Sequence, residues 1–221
     1  MFGIIYIVLS LLAGKELAEI LLFTGKNAQE AGSRNGQHKA FCNQIWLLAA
    51  AAFGMGTLVF GWTTYMISWA ASEAGAKKPL IYGNTAVLII TAVVLVLLYW
   101  KRYRKTGTVW IVADRKLISD SRAFRKECIL FGSLLVFLTW IMFYVFYIRN
   151  GELYSGFSVY GDYAPHTAMM RSFSKGNNFP TEYPHFGGQD VKYHFMFQFL
   201  VGNLEFLGIR LDFAYNIESV L

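Results

Sequence analysis

Long apolar runs dominate the first two thirds of the chain. Three of them, residues 45–71, 80–100 and 129–148, contain no Asp, Glu, Lys or Arg. A helix needs about 20 apolar residues to cross the hydrocarbon core, so each run predicts a membrane span. Pro79 precedes the second run and suits the start of a helix, because its missing N–H would have no helical partner there.

The first apolar run is less uniform. Residues 2–23 reach membrane length only by including Lys15, Glu16 and Glu19. We predict a fourth span here, and two interpretations of the charges stay open. The favoured one places them at the headgroup boundary or in an internal Lys15–Glu19 pair, since residues four apart share a helix face. The other makes them part of a polar pathway, because charges within a membrane tend to be functional.

The composition agrees with lipid as the solvent. Hydrophobic residues make up 55% of the 221 residues and charged residues only 15%. The net charge of +6 comes from basic residues that lie beside apolar runs, where positive charge sets orientation and contacts anionic lipid. The expected partner is therefore the lipid bilayer, and we expect no nucleic acid.

The distribution of charge predicts the orientation. The segment 101–127 carries nine basic and three acidic residues, which places it in the cytoplasm by the positive-inside rule. Alternation of the spans then puts the amino terminus and all residues after 149 outside, in an integral protein of the plasma membrane. Cys42 and Cys128 fall at cytoplasmic ends of spans, where we expect reduced thiols and no disulfide.

Two shorter patterns concern packing. Small residues from Ala52 to Gly56 predict a face on which another helix can approach closely. Trp110, Leu117 and Phe124 recur every seven residues among basic ones. This spacing indicates either a helix on the inner leaflet or an ordinary solvated connector.

The composition changes after the fourth span. From residue 149, Gly, Pro, His, Asp and Glu lie close together, and the pattern predicts helices at about 163–175 and 191–207 joined by an irregular loop. Asp162 and Asp190 are the expected N-caps, and a further helix is expected to begin at 212. The first two helices would be about 20 and 25 Å long, short of a comfortable span.

The predicted fold class is therefore an all-α, polytopic membrane protein. Residues 1–148 are expected to form a bundle of four transmembrane helices. Residues 149–221 are expected to form an extracytoplasmic segment with two helices on the membrane surface.

The extracytoplasmic segment also carries candidate chemistry. Asp162 and His166 stand four apart, so a helix brings them to one face. A carboxylate there can accept a proton from a hydroxyl nucleophile, and Arg171 or Lys175 can bind phosphate. Histidines and carboxylates can also hold a divalent cation. The alternative interpretations are a helix cap for Asp162, backbone hydrogen bonds for the histidines and headgroup contacts for Arg171.

At these residues the sequence resembles the GT-C superfamily of polytopic membrane glycosyltransferases. The resemblance covers about residues 160–216 and lies in Asp162 to His166, Arg171, the turn Asn178-Phe-Pro180, and Tyr193-His194. It implies transfer of a sugar from a polyprenyl-phosphate carrier, with an acidic residue of an outer loop as the catalytic base. The resemblance gives Asp162 that role.

The resemblance extends to further residues and has two departures. His166 joins Asp162 as a catalytic candidate, and the substrate-binding candidates are Arg171, Lys175, Glu182, Tyr193 and His194. The superfamily usually places its acidic loop after the first span, whereas here it follows the fourth. Its members also have more spans, which suggests that this chain is the amino-terminal part of a longer protein. The alternative function is a non-catalytic membrane protein such as a transporter subunit or assembly factor.

Overall fold

Seven helices and two short β-hairpins make up the computed structural model, which describes residues 2–23, 44–107, 109, 121–156 and 160–220. The protein is mostly helical, but the hairpins show that the all-α prediction was incomplete. The elements in chain order are α1 (Phe2–Phe23), α2 (Gln44–Glu73), α3 (Pro79–Thr106), α4 (Ser121–Val145), β1 (Phe146–Arg149), β2 (Glu152–Ser155), α5 (Tyr160–Ser174), β3 (Glu182–Tyr183), β4 (Phe186–Asp190), α6 (Met196–Phe206) and α7 (Leu211–Val220).

Three helices are long and apolar enough to cross a membrane. These are α2, α3 and α4, which contain the three uncharged runs of the sequence. They indicate an integral membrane protein. Helix α1 has the bounds expected for the first span, but its three charged residues leave it outside this group.

The carboxyl end predicted for the fourth span was wrong. Helix α4 ends at Val145, and residues 146–149 form a strand that pairs antiparallel with β2. The two residues of the turn, Asn150 and Gly151, have φ values of 54° and 83°. Positive φ at both positions defines the tight turn that Asn-Gly favours, so the local sequence ends the helix and reverses the chain.

Side chains of α7 bind the backbone of β1. The Ile148 N–H donates to the Asp212 carboxylate at 2.9 Å, and the Asn216 amide donates to the Phe146 carbonyl at 2.8 Å. Burial disfavours the charged form of Asp212, but hydrogen bonds from Arg210 and from the Ile148 N–H outweigh it and lower the pKa of this carboxyl. Strand β1 is thereby fixed to α7.

The two helices of the tail begin at other residues than expected. Helix α5 starts at Tyr160, so Asp162 lies in its first turn and is not the N-cap. Helix α6 starts at Met196, after an N-cap at Phe195 that makes no side-chain cap bond. Asp190 does not cap it because residues 186–190 pair with β3. The connection between α5 and α6 is thus partly a hairpin and not wholly irregular.

Gly208 ends α6. Its φ is 93°, its N–H donates to the Glu205 carbonyl, and the N–H of Ile209 donates to the Leu204 carbonyl. These are the two bonds of a Schellman motif, which requires a left-handed residue at this position.

The chain divides into two compact units. One comprises Met1–Ile7, Phe60–Leu88 and Leu134–Leu221, and the other comprises Val8–Val59 and Ile89–Ser133. The first unit contains α5, α6, α7 and both hairpins. A hydrophobic cluster of this unit joins α5 and α6 to parts of α2 and α3 through Tyr65, Leu80, Met169, Phe173, Phe179 and Phe199.

The second unit packs α1 closely against α2. A Cβ added at Gly14 would meet the Ala52 carbonyl and the backbone of Gly56, and one at Gly56 would meet the Ser10 carbonyl. The predicted close approach on the small residues of α2 is confirmed. Only residues without a Cβ allow backbones to come this near.

The same unit contains a cluster of charged side chains. Lys15 Nζ lies 2.9 Å from Glu19 Oε1, which confirms the predicted internal pair. Arg102 Nη2 lies 2.6 Å from Glu16 Oε2, and both side chains are mostly buried, with exposed fractions of 15% and 7%. The charges of α1 are therefore neutralised within the protein.

Some predictions fall outside the residues that the structure describes. These concern Cys42, most of the loop between α1 and α2, and the Trp110 and Leu117 positions of the seven-residue pattern. Cys128 is described and is a half-buried free thiol.

Candidate functional site

A cavity of about 270 Å³ lies in the first unit, between α5, the β3–β4 hairpin and the start of α6. Its walls combine one carboxylate, one amide, three imidazoles and two phenols with apolar side chains. The lining residues are Asp162, Pro165, His166, Met169, Tyr183, His185, Val191, Tyr193, His194 and Gln198.

Helical spacing brings the residues of α5 to the cavity. Asp162, His166 and Met169 follow one another at intervals of four and three residues, so they share one face of α5. Met170 and Phe173 on the same helix are fully buried. One face of α5 is therefore anchored while another borders the cavity.

Helix α6 approaches α5 closely at one glycine. A Cβ added at Gly202 would lie within van der Waals distance of the Met170 carbonyl and the Phe173 side chain. Phe199 and Phe173 meet edge to face, with ring centroids 5.2 Å apart. This contact places the preceding turn of α6, with Gln198, beside His166.

Asn178 holds the hairpin that forms the third wall. Its Oδ1 accepts from the Glu182 N–H at 2.9 Å, and its Nδ2 donates to the Glu182 carbonyl at 2.8 Å. The neighbouring residues bind α2: Thr181 Oγ1 lies 2.8 Å from the Tyr65 hydroxyl, and Ser72 Oγ donates to the Phe179 carbonyl at 2.9 Å. The hairpin is thus attached to the carboxyl-terminal part of α2.

One direct hydrogen bond links two polar residues of the cavity. His166 Nδ1 and Gln198 Nε2 are 2.5 Å apart. Gln198 is buried, with 4% of its surface exposed, whereas Asp162 is exposed at the cavity edge. The cavity therefore has a hydrogen-bonded amide–imidazole pair at its inner wall and a solvent-exposed carboxylate at its rim.

The structure brings together four of the seven predicted site residues. Asp162, His166, Tyr193 and His194 all line the cavity. The rings of Tyr193 and His194 are also in contact, with centroids 3.8 Å apart.

The other three predicted residues lie elsewhere. Arg171 Nε is 3.6 Å from Glu205 Oε1, and its side chain is half exposed. Lys175 is exposed just after the end of α5. Glu182 Oε2 accepts from the Gly188 N–H at 2.9 Å, so this carboxylate braces the hairpin.

Sequence reasoning did not select several lining residues, of which Gln198 and His185 are the most polar. Gln198 could have been found, because it is a polar residue within an apolar helix, four positions after His194. His185 occupies the turn of a hairpin that the sequence analysis did not predict. Because the hairpin was not predicted, there was no basis for placing His185 near α5.

Two observations complete the description of the site. Among the described residues, no group of three or more His, Cys, Asp or Glu side chains could hold a metal ion. No protein-family model, curated protein or solved structure matches this chain.

Proposed function

We propose that the protein is a membrane glycosyltransferase of the GT-C type, or the amino-terminal part of one. It would transfer a sugar from a polyprenyl-phosphate carrier on the extracytoplasmic side of the plasma membrane. The observation that carries the proposal is the cavity, which gathers Asp162, His166, Tyr193 and His194 around one space. All four residues belong to the segments that carry the sequence resemblance.

The proposed chemistry assigns one step to Asp162. An acceptor hydroxyl oxygen forms the new bond to the anomeric carbon of the sugar, and the bond from that carbon to the phosphate oxygen breaks. The polyprenyl phosphate leaves with the electron pair, and Asp162 takes the hydroxyl proton. His166 and His194 would donate hydrogen bonds to oxygens of the reactants, and Tyr193 offers an aromatic face.

The phosphate would be bound beyond the cavity. Arg171 on α5 and Lys175 just after the end of this helix follow His166 in the sequence, and both are exposed. A guanidinium binds phosphate oxygens in a bidentate manner, and an ammonium binds them as a point charge. If the reaction uses a divalent cation, Asp162 would be the carboxylate of the cavity that could ligate it, and the cation would supply positive charge to the leaving phosphate.

The topology that the function requires is four spans with the cavity outside. The charges of α1 are paired within the protein, Lys15 with Glu19 and Glu16 with Arg102, which supports including α1 as a fourth span. The turn after α2 also contacts the tail, where Asn177 donates to the Lys77 carbonyl at 3.2 Å, as segments on one side of a membrane should. Helices α5 and α6 would then lie at the outer surface.

The decisive test is Asp162→Asn in the full-length protein. Removing a general base costs typically about 10²- to 10⁴-fold, so we expect transfer from a polyprenyl-phosphate sugar to fall by that order. Asp162 is exposed and asparagine has the same shape, so thermal stability should not change. Asp190→Asn, at an exposed position of β4 outside the cavity, is the matched control and should retain turnover.

Full turnover in Asp162→Asn with a folded protein would remove the catalytic assignment. It would leave a non-catalytic membrane protein as the better explanation of the cavity.

A further inference from the structure

The hydrogen bond between Gln198 and His166 determines where the imidazole carries its proton. The amide nitrogen Nε2 of Gln198 has hydrogens and no acceptor lone pair, so it donates to His166 Nδ1 at 2.5 Å. A neutral imidazole that accepts at Nδ1 carries its proton at Nε2. The contact therefore selects one of the two tautomers of His166.

The remaining polar atoms of this pair have no partner in the described part of the chain. Gln198 Oε1 is buried and accepts no hydrogen bond there. Gln198 itself is 4% exposed and lines the cavity beside His166. His166 lines the same cavity, so its Nε2–H is the donor that the pair offers to a bound molecule.

With Nδ1 engaged by Gln198, the imidazole has one donor left, its Nε2–H. This donor suits an acceptor oxygen of a bound molecule, whether of a hydroxyl, a carboxylate or a phosphate. An apolar group would leave the donor unsatisfied.

We propose that Gln198 is a positioning residue that keeps the proton of His166 on Nε2, so that His166 offers an N–H donor to an acceptor oxygen of a molecule bound in the cavity. The identity of the molecule that bears this oxygen rests on the proposed function. The arrangement of the pair does not.

Five other titratable residues line the cavity with His166. Asp162 stands one turn before it on α5, Tyr183 and His185 come from the β3–β4 hairpin, and Tyr193 and His194 precede α6. Of these, only Asp162 carries a formal negative charge at neutral pH. A new carboxylate at position 198 would be a second one, in direct contact with the ring.

The wild-type protein gives the first test. In the full chain with ¹⁵N-labelled histidine, the nitrogen chemical shifts of His166 should show a protonated Nε2 and an unprotonated Nδ1 above the pKa of the ring. The opposite tautomer, or a mixture of both, would overturn the proposal. Assignment follows from the signal that disappears in His166→Gln.

The second test uses the rate at which diethyl pyrocarbonate modifies each histidine, read by peptide mass spectrometry. The reagent attacks an unprotonated ring nitrogen, and Gln198 covers that nitrogen in His166. Gln198→Met is close in shape and cannot donate, so the rate at His166 should rise about two- to tenfold, the factor expected for losing one hydrogen bond. His185 and His194 in the same molecules should keep their rates.

Gln198→Glu provides a charged counterpart. The new carboxylate favours the protonated ring, so the pH midpoint of modification at His166 should rise by about one to three units. Gln189→Glu, an exposed glutamine of β4 outside the cavity, adds the same charge without the contact and should leave the midpoint nearly unchanged. An unaltered His166 in either Gln198 variant would overturn the proposal. None of these measurements needs sugar transfer, so they can succeed or fail independently of the Asp162 experiment.

Discussion

Asn84 on α3 and Asn203 on α6 exchange two hydrogen bonds. Each side chain donates from Nδ2 to the other's Oδ1, at 2.6 and 3.0 Å. Asn84 also donates to the Leu80 carbonyl one turn earlier, and both residues are buried. This reciprocal pair joins a membrane-length helix to the helix that carries Gln198. Polar side chains that pair in this way between helices stabilise packing in an apolar environment.

Breaking the asparagine pair from one side should destabilise the protein. Asn203→Leu leaves the buried amide of Asn84 without its partner, and an unsatisfied buried group costs about 1–3 kcal/mol. Thermal unfolding of the full chain in detergent should report the loss. The double variant Asn84→Leu/Asn203→Leu removes both polar groups and should recover part of it. If the double variant loses as much stability as the two single variants lose together, the result would contradict the pairing.

The Glu16–Arg102 ion pair should be costly to break. Its side chains are mostly buried, so Arg102→Gln leaves a carboxylate without its guanidinium. Losing one partner of a buried pair typically costs about 3–5 kcal/mol, and Lys15 Nζ, 3.2 Å from Glu16 Oε1, should offset part of this cost. Lys105→Gln, at an exposed position of the same helix, is the control and should change stability by less than about 0.5 kcal/mol. Equal effects of the two substitutions on the unfolding temperature would argue against the pair.

The proposed orientation can be tested by labelling single cysteines in intact cells. In a chain whose two native cysteines are replaced by serine, Gln189→Cys should react with a membrane-impermeant thiol reagent. Lys105→Cys should react only after the cells are permeabilised. Both positions are exposed in the structure, so accessibility to solvent does not separate them. The reverse pattern would move the cavity to the cytoplasmic side and exclude the proposed function.

Glu218 should make stability depend on pH. Burial raises the pKa of this carboxyl to about 7, well above its value in an unfolded chain. The folded state therefore retains a proton that the unfolded state releases. The resulting stability is complete below about pH 4.5 and is lost as the pH rises to about 7.

Glu218→Gln should remove this dependence. The side chain is partly exposed, so we expect a contribution of about 1–3 kcal/mol to unfolding between pH 5 and pH 8. The variant should be more stable than the wild type at pH 8. Glu73→Gln, at an exposed position, should follow the wild-type curve. Parallel curves for the wild type and Glu218→Gln would show that the carboxyl is hydrated.

Part of the site could be predicted from the sequence, because the spacing of residues along a helix depends only on the local sequence. Asp162 and His166 share a face of α5 whatever surrounds it, and both do line the cavity. Gln198 and His185 depend on contacts across 32 and 19 positions of the sequence from His166, which local spacing cannot supply. Arg171, a phosphate-binding candidate, and Glu182, a candidate through the resemblance, each meet a partner outside the cavity.

The sequence by itself determined which segments can cross a membrane, because the cost of burying charge in lipid depends on composition alone. It also contained the Asn150-Gly151 signal that reverses the chain after α4, although the apolar residues around it favoured a longer helix. Only the tertiary structure decided which polar groups meet. The bonds of Asn84 to Asn203, Arg102 to Glu16 and Gln198 to His166 form between residues far apart in sequence. Their geometry depends on how close the helices come, and small residues such as Gly14 and Gly202 set that distance.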